Sequence, residues 1–181
     1  MKLVPVSEEL IVPFKNDRYI CIHEAKDVFD YIHPDFRKKQ MVSESRNSNS
    51  GIIIDEIICR IYEIVPDKGK DITLYEIWGL INKTEHFIFS QREIVQFCRY
   101  YKGLLLGKKT TLFNFGQDFN GCRSGFTAIV NYSGFHSKET LHRDKKLEIY
   151  PESLAELGIM RNSDNLQIVV ILKGKTIEKE K

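Results

Sequence analysis

Residues 90 to 133 set an amphipathic helix directly ahead of two aromatic-rich strands, and no other stretch of the chain narrows the choice of fold as far. Ser90 followed three residues later by Glu93 predicts a capping box, in which hydroxyl and carboxylate each satisfy an unpaired backbone N–H of the first turn. Ile94, Phe97, Cys98, Tyr101, Leu104 and Leu105 recur at spacings of three and four. That spacing predicts a helix over 91–105 with this stripe inward and with Arg92, Gln96, Arg99 and Lys102 largely elsewhere. Gly107 suits the turn that ends it. In the following TTLFNFG, Thr111, Phe113 and Phe115 alternate with Leu112 and Asn114, the period of a half-buried strand, and residues 126–132 (FTAIVNY) read the same way.

The remaining elements are assigned from punctuation and periodicity. Pro5 and Pro13 break the apolar N-terminal stretch into an extended arm or edge strand. Residues 18–25 read as a strand and residues 25–32 as a short helix that stops before Pro34, so residues 1–37 form an N-terminal arm and short helix. The polar, turn-rich residues 38–51 read as a flexible loop or linker, and residues 52–176 as the main domain, followed by a charged tail at 177–181. Within that domain residues 52–65 are ambiguous: Ile54, Ile57, Ile58, Ile61, Tyr62 and Val65 form a helical stripe, while the isoleucine-rich content favours a strand if a sheet claims it, and helix is the reading chosen. Thr73 and Glu76 offer a second capping box for a short helix over 74–82. Residues 146–150 and 166–172 read as strands, and residues 151–158 as a short helix with Pro151 at its start and Gly158 at its end. Helices first and strands later predict an α+β fold with helices packed on one face of an antiparallel sheet.

The run SQREIVQFC at 90–98, with IWGLIN before it and TTLFNF and FTAIVNY after it, resembles a domain of uncharacterised bacterial proteins that carries a Thr-Gln-x-Gln-Ile-x-x-Phe-Cys helix. The resemblance spans about residues 72–150, with Ser90 standing where that pattern has Thr, and it implies a fold and no activity. Residues 152–174 are similar to the last third of the ubiquitin family, without a terminal Gly-Gly. The run from Pro151 to Leu157, Gly158 and Ile159 is also similar to swapped-hairpin antitoxin regulators.

Composition limits the classes of function. At 42% hydrophobic and 29% charged, a chain of 181 residues can bury one core without disulfides or metal. It has no run approaching the roughly 20 apolar residues of a membrane span, so a cytoplasmic protein with no membrane partner is expected. The scattered Cys21, Cys59, Cys98 and Cys122 are expected to be reduced thiols. Cys21 and His23 would share one face of a strand, but a structural zinc site needs about four ligands and no second close pair stands nearby, so no metal and no cofactor is expected. Cys122 with His136 and His142 could form a nucleophile and base only if folding brought them within hydrogen-bond reach.

Charge carries the remaining signal. Residues 92–146 hold ten cations against four acids, a net +6 where the whole chain is +2. Lys108, Lys109, Arg123, Lys138, Arg143, Lys145 and Lys146 are therefore candidates for contacting nucleic-acid phosphates, with Tyr100, Phe119 and Phe135 available to stack on bases. A pI near 8.3 is low for a dedicated nucleic-acid domain. The leading expectation is a binding module without catalytic activity, acting on a protein partner or on itself through a sheet edge and the N-terminal arm. A nucleic-acid-binding module is the alternative, and a small Cys/His enzyme comes third.

Overall fold

The computed structural model describes residues 1–14, 21–37, 56–67, 70–82, 89–105, 110–119, 122–133, 146–153, 159–160 and 166–175. Among them, ten strands outweigh three short helices. The strands are β1 (Lys2–Pro5), β2 (Leu10–Pro13), β3 (Tyr31–Ile32), β4 (Glu56–Val65), β5 (Ile72–Thr73), β6 (Thr110–Phe119), β7 (Cys122–Ser133), β8 (Lys146–Ser153), β9 (Ile159–Met160) and β10 (Leu166–Lys175). The helices are α1 (Leu74–Asn82), α2 (Gln91–Tyr100) and α3 (Lys102–Leu105).

Eight strands form one sheet in the order β1, β4, β10, β6, β7, β8, β3, with β2 also on β4. The pairing is mixed: β10 runs parallel to β6 and β3 parallel to β8, while the other ladders are antiparallel. The small β5–β9 ladder is separate. The expected antiparallel sheet carrying helices on one face is thus corrected to a mixed, strand-dominated sheet. Its central strands have buried apolar residues on both faces, which is what a parallel-containing sheet requires.

That two-sidedness explains why residues 52–65 read falsely as helix. Along β4, Ile57, Cys59 and Ile61 join one hydrophobic cluster and Ile64 the other, with Tyr62 packed against it. A run apolar at both parities satisfies a helical stripe by coincidence, and the β-branched isoleucines settle into the sheet because β10 supplies a partner from Glu56 to Glu63. In β10, Val169 and Ile171 face the first cluster, and Leu166, Ile168 and Val170 the second. Three further expectations are corrected. Residues 22–24 form a single 3-10 turn, so Cys21 and His23 do not share a strand face. No helix spans 25–32: a turn leads into β3. Pro151 to Ser153 extend β8 and do not start a helix, while 154–158 lie outside the described residues, as do residues 38–51, expected to be a loop or linker.

The N-terminal stretch is an interrupted edge strand. β1 pairs with the last part of β4 (Lys2 with Val65) and β2 with its first part (Leu10 with Cys59). Where the ladder breaks, the Val6 N–H donates to the Ile61 carbonyl at 2.9 Å and Ser7 Oγ accepts from the Ile61 N–H at 2.9 Å, so both backbone groups of Ile61 stay satisfied.

The first cluster gathers Phe113, Ala128, Val130, Leu147 and Ile149 from the sheet with Ile94, Val95, Phe97 and Cys98 from α2. Phe113 is its pivot, meeting Phe89 and Phe97 edge-on with ring centroids 5.3 and 5.4 Å away. The second cluster sets Leu74, Ile77 and Ile81 of α1 against Leu112, Ile168 and Val170.

Candidate functional site

Beyond the second cluster, that same sheet face changes character. Leu147 and Ile149 of β8 are fully buried in the first cluster, so alternation turns Glu148 and Tyr150 to the opposite face. In β7, Asn131 lies opposite Glu148 and Ile129 opposite Tyr150. On the far side of β8, Tyr31 lies opposite Glu148 in parallel register. One row across three strands therefore reads Asn131, Glu148, Tyr31, and Tyr150 stands in the next.

The two-residue β3 is held in place by its flanks. Asp30 N–H donates to the Leu147 carbonyl at 2.8 Å, Asp30 Oδ2 accepts from the Leu147 N–H at 2.7 Å, and the His33 N–H donates to the Ile149 carbonyl at 3.0 Å. Asp30 thus acts as a clasp that fixes where Tyr31 stands. The Tyr150 hydroxyl donates to Glu148 Oε2 at 2.7 Å. The Tyr31 ring lies 5.3 Å from Tyr150, tilted by 36°, and the His33 imidazole lies 6.0 Å from it. His33 Nδ1 accepts from the Asp35 N–H at 3.3 Å, so hydrogen sits on Nε2; the 4.0 Å separation of Nδ1 from Asp35 Oδ2 is therefore proximity and not a donated bond.

Burial, the Glu148 hydrogen bond and the Glu148 charge push the Tyr150 phenol up to about 12. Tyr150 is therefore a neutral donor near neutral pH, and its hydrogen bond orients the Glu148 side chain. Glu148 Oε1 accepts no hydrogen bond among the described residues, and the buried Asn131 Oδ1 has none either. Tyr31 is 41% exposed, so the row opens to solvent at the β3 side. Residues 24–35 around it hold four acids and one lysine. This arrangement offers acceptors and ring faces. Among the described residues, no group of three His, Cys, Asp or Glu is set to hold a metal ion.

The positions singled out in the sequence are not gathered here. Lys108, Lys109, Lys138, Arg143 and Lys145 lie outside the described residues, as do His136 and His142. Arg123 stands in β7 opposite Asp118, and Lys146 opens β8 opposite Ser133. Arg123 and Ser133 are ten residues apart on one strand, roughly 33 Å, so these two basic positions sit at opposite ends of the ladder. Arg92 and Arg99 are used internally. Arg92 donates to the Phe14 carbonyl at 2.8 Å and lies 5.1 Å from the centre of the Phe14 ring, and Arg99 pairs with Asp27 at 2.8 Å. Burial pushes the Cys98 thiol far up, which keeps it from acting as a nucleophile.

The sequence reading missed Tyr31, His33, Asn131, Glu148 and Tyr150. Alternation in KLEIY was the available signal, since it already puts Glu148 and Tyr150 on one face. No helix among the described residues is long and apolar enough to cross a membrane. Comparison with protein-family models, curated proteins and solved structures returned no match.

Proposed function

We propose that this chain is a non-catalytic binding module that recognises a protein partner through the polar, aromatic end of its second sheet face, beside β3. The observation that carries this reading is the fixed row of Tyr31, Glu148 and Asn131, with Tyr150 hydrogen-bonded to Glu148. Solvent-facing tyrosines held rigid by their neighbours supply contact area at low entropic cost, a property enriched in protein interfaces. Recognition through side chains on the face is favoured over strand addition. One edge of the sheet ends in the two-residue β3, and the other in β1 and β2, each carrying a proline and separated by a break.

The test is binding of the purified chain to a broad array of short peptides, repeated with the Tyr31→Ala/Tyr150→Ala double variant. Retained peptides that are lost in the double variant, yet kept in Leu104→Ala, support the reading, because Leu104 is an exposed apolar residue of α3 outside the row. Retention on single-stranded nucleic acid that survives physiological salt and ignores the double variant would replace it with the nucleic-acid reading.

A further inference from the structure

We infer that the row of Asn131, Glu148 and Tyr31 is a subsite for one cationic side chain of the partner, an arginine in preference to a lysine. This inference rests on the binding-module reading and adds the chemistry of what is bound.

Glu148 and Asn131 each hold an acceptor oxygen without a donor among the described residues. The Tyr150 hydroxyl proton is already given to Glu148 Oε2, which leaves Oε1 as an oriented, charged acceptor. Asn131, one strand away in register, holds its Oδ1 buried without a donor. Register neighbours across an antiparallel pair stand roughly 5 Å apart, a span that a planar guanidinium bridges with two separate N–H groups. A turn of the Asn131 side chain toward an entering guanidinium gives Oδ1 the donor it lacks. Beside these acceptors stand the two tyrosine rings, 5.3 Å apart and tilted, whose faces attract a flat cation.

Other ligand classes fit less well. An anion would meet the charge of the Glu148 carboxylate at the centre of the row. An apolar side chain would cover Glu148 Oε1 and leave it unpaired. An ammonium satisfies the charge but not the paired, planar arrangement, so lysine binds more weakly than arginine. The acidic bias of residues 24–35 adds attraction at longer range.

The experiment is an amide-resolved NMR titration of the full chain with acetyl-Gly-Arg-Gly-amide, with the lysine and citrulline peptides as comparison probes. Saturable shifts confined to Tyr31, Glu148, Tyr150 and their strand neighbours are expected with arginine, weaker ones with lysine and none with citrulline. Glu148→Gln should weaken arginine binding roughly tenfold, as loss of a charged hydrogen-bond partner does. Glu9→Gln, a carboxylate on the opposite edge that pairs with Arg60 at 3.3 Å, should leave it unchanged. Tyr150→Phe keeps the ring and the carboxylate and should weaken binding less than Glu148→Gln. Citrulline binding as tightly as arginine, or indifference to Glu148→Gln in a variant whose spectrum shows it folded, would overturn the inference. If the arrayed peptides bind through Tyr31 and Tyr150 but lack basic residues, the subsite chemistry is wrong and the binding-module reading stands. If no peptide binds at all, both fall.

Discussion

Gln91 shows how much of this molecule depends on single polar residues whose partners lie far away in sequence. Its side chain is fully buried, and Oε1 accepts the Ile22 N–H at 2.9 Å across 69 positions. Within SQREIVQFC it reads only as a polar residue of a first helical turn, because nothing local announces a bond to residue 22. Gln91→Ala should destabilise by about 1–3 kcal/mol in urea unfolding, since the Ile22 N–H is then buried without an acceptor. Tyr150 carries a prediction of a different kind. Its folded-state pKa of about 12 lies above the unfolded value near 10, so its contribution to stability is complete below about pH 10 and is lost as pH rises toward 12. Tyr101, donating to the Ile11 carbonyl at 2.6 Å and also raised by burial, adds to the same alkaline decline. Tyr150→Phe should therefore show a shallower loss of urea midpoint between pH 10 and 12 than the parent chain. An unchanged slope would mean that Tyr150 titrates as it does in the unfolded chain.

At the scale of elements, local chemistry was legible and sheet membership was not. Both capping boxes form as their sequences indicate: Ser90 N–H donates to Glu93 Oε2 at 2.7 Å and Glu93 N–H to Ser90 Oγ at 3.3 Å, and Thr73 and Glu76 exchange the equivalent bonds at 3.0 and 3.2 Å. The inward stripe holds for Ile94, Phe97, Cys98 and Leu105, with Tyr101 packed against the first cluster, and fails at Leu104. The helix stops at Tyr100 and Leu104 falls on the exposed side of a separate turn, while Gln96, assigned outward, is fully buried. Amphipathic spacing marks the face that meets the sheet. It does not show that residues 21–37 cover other sides of the helix, among them the Gln91 side through Ile22 and the Arg99 side through Asp27. Phe97→Ala should cost about 3–5 kcal/mol, because its ring is packed edge-on against Phe113 in the first cluster. Arg99→Ala removes a surface pair with Asp27 and a 3.4 Å bond to Gln96 Oε1, and should stay within about 1 kcal/mol. Equal effects at the two positions would show that the ring does not anchor the helix. The row at Tyr31 was illegible because its meaning comes from strands 117 positions apart, brought together by the bonds of Asp30 with Leu147 and of His33 with Ile149.

At the scale of the whole molecule, the strand order makes β10 the joint. β1, β2 and β4 reach the rest of the large sheet only through β10, which pairs with β4 along one edge and with β6 along the other. The N-terminal strands therefore have no ladder to β6, β7 and β8 until the end of the chain is in place, a non-local arrangement that favours slow folding and a single cooperative unit. Both hydrophobic clusters cross the joint as well, the first through Val169 and Ile171 and the second through Ile168 and Val170. Unfolding should accordingly be one transition. The single tryptophan, Trp78 on α1, reports from the helix set against the second cluster, whereas far-ultraviolet circular dichroism reports mainly the backbone of the large sheet. The two urea curves should coincide within error. Ile168→Asp, which places a carboxylate at a fully buried position of β10, should cost more than about 4 kcal/mol and abolish both signals together. Ile11→Asp, on the edge strand β2 at 47% exposure, should cost no more than about 1 kcal/mol and leave the curves superimposed. A Trp78 transition surviving in Ile168→Asp, or curves that separate in the parent chain, would show that the two sides of the sheet fold independently and that β10 does not join them.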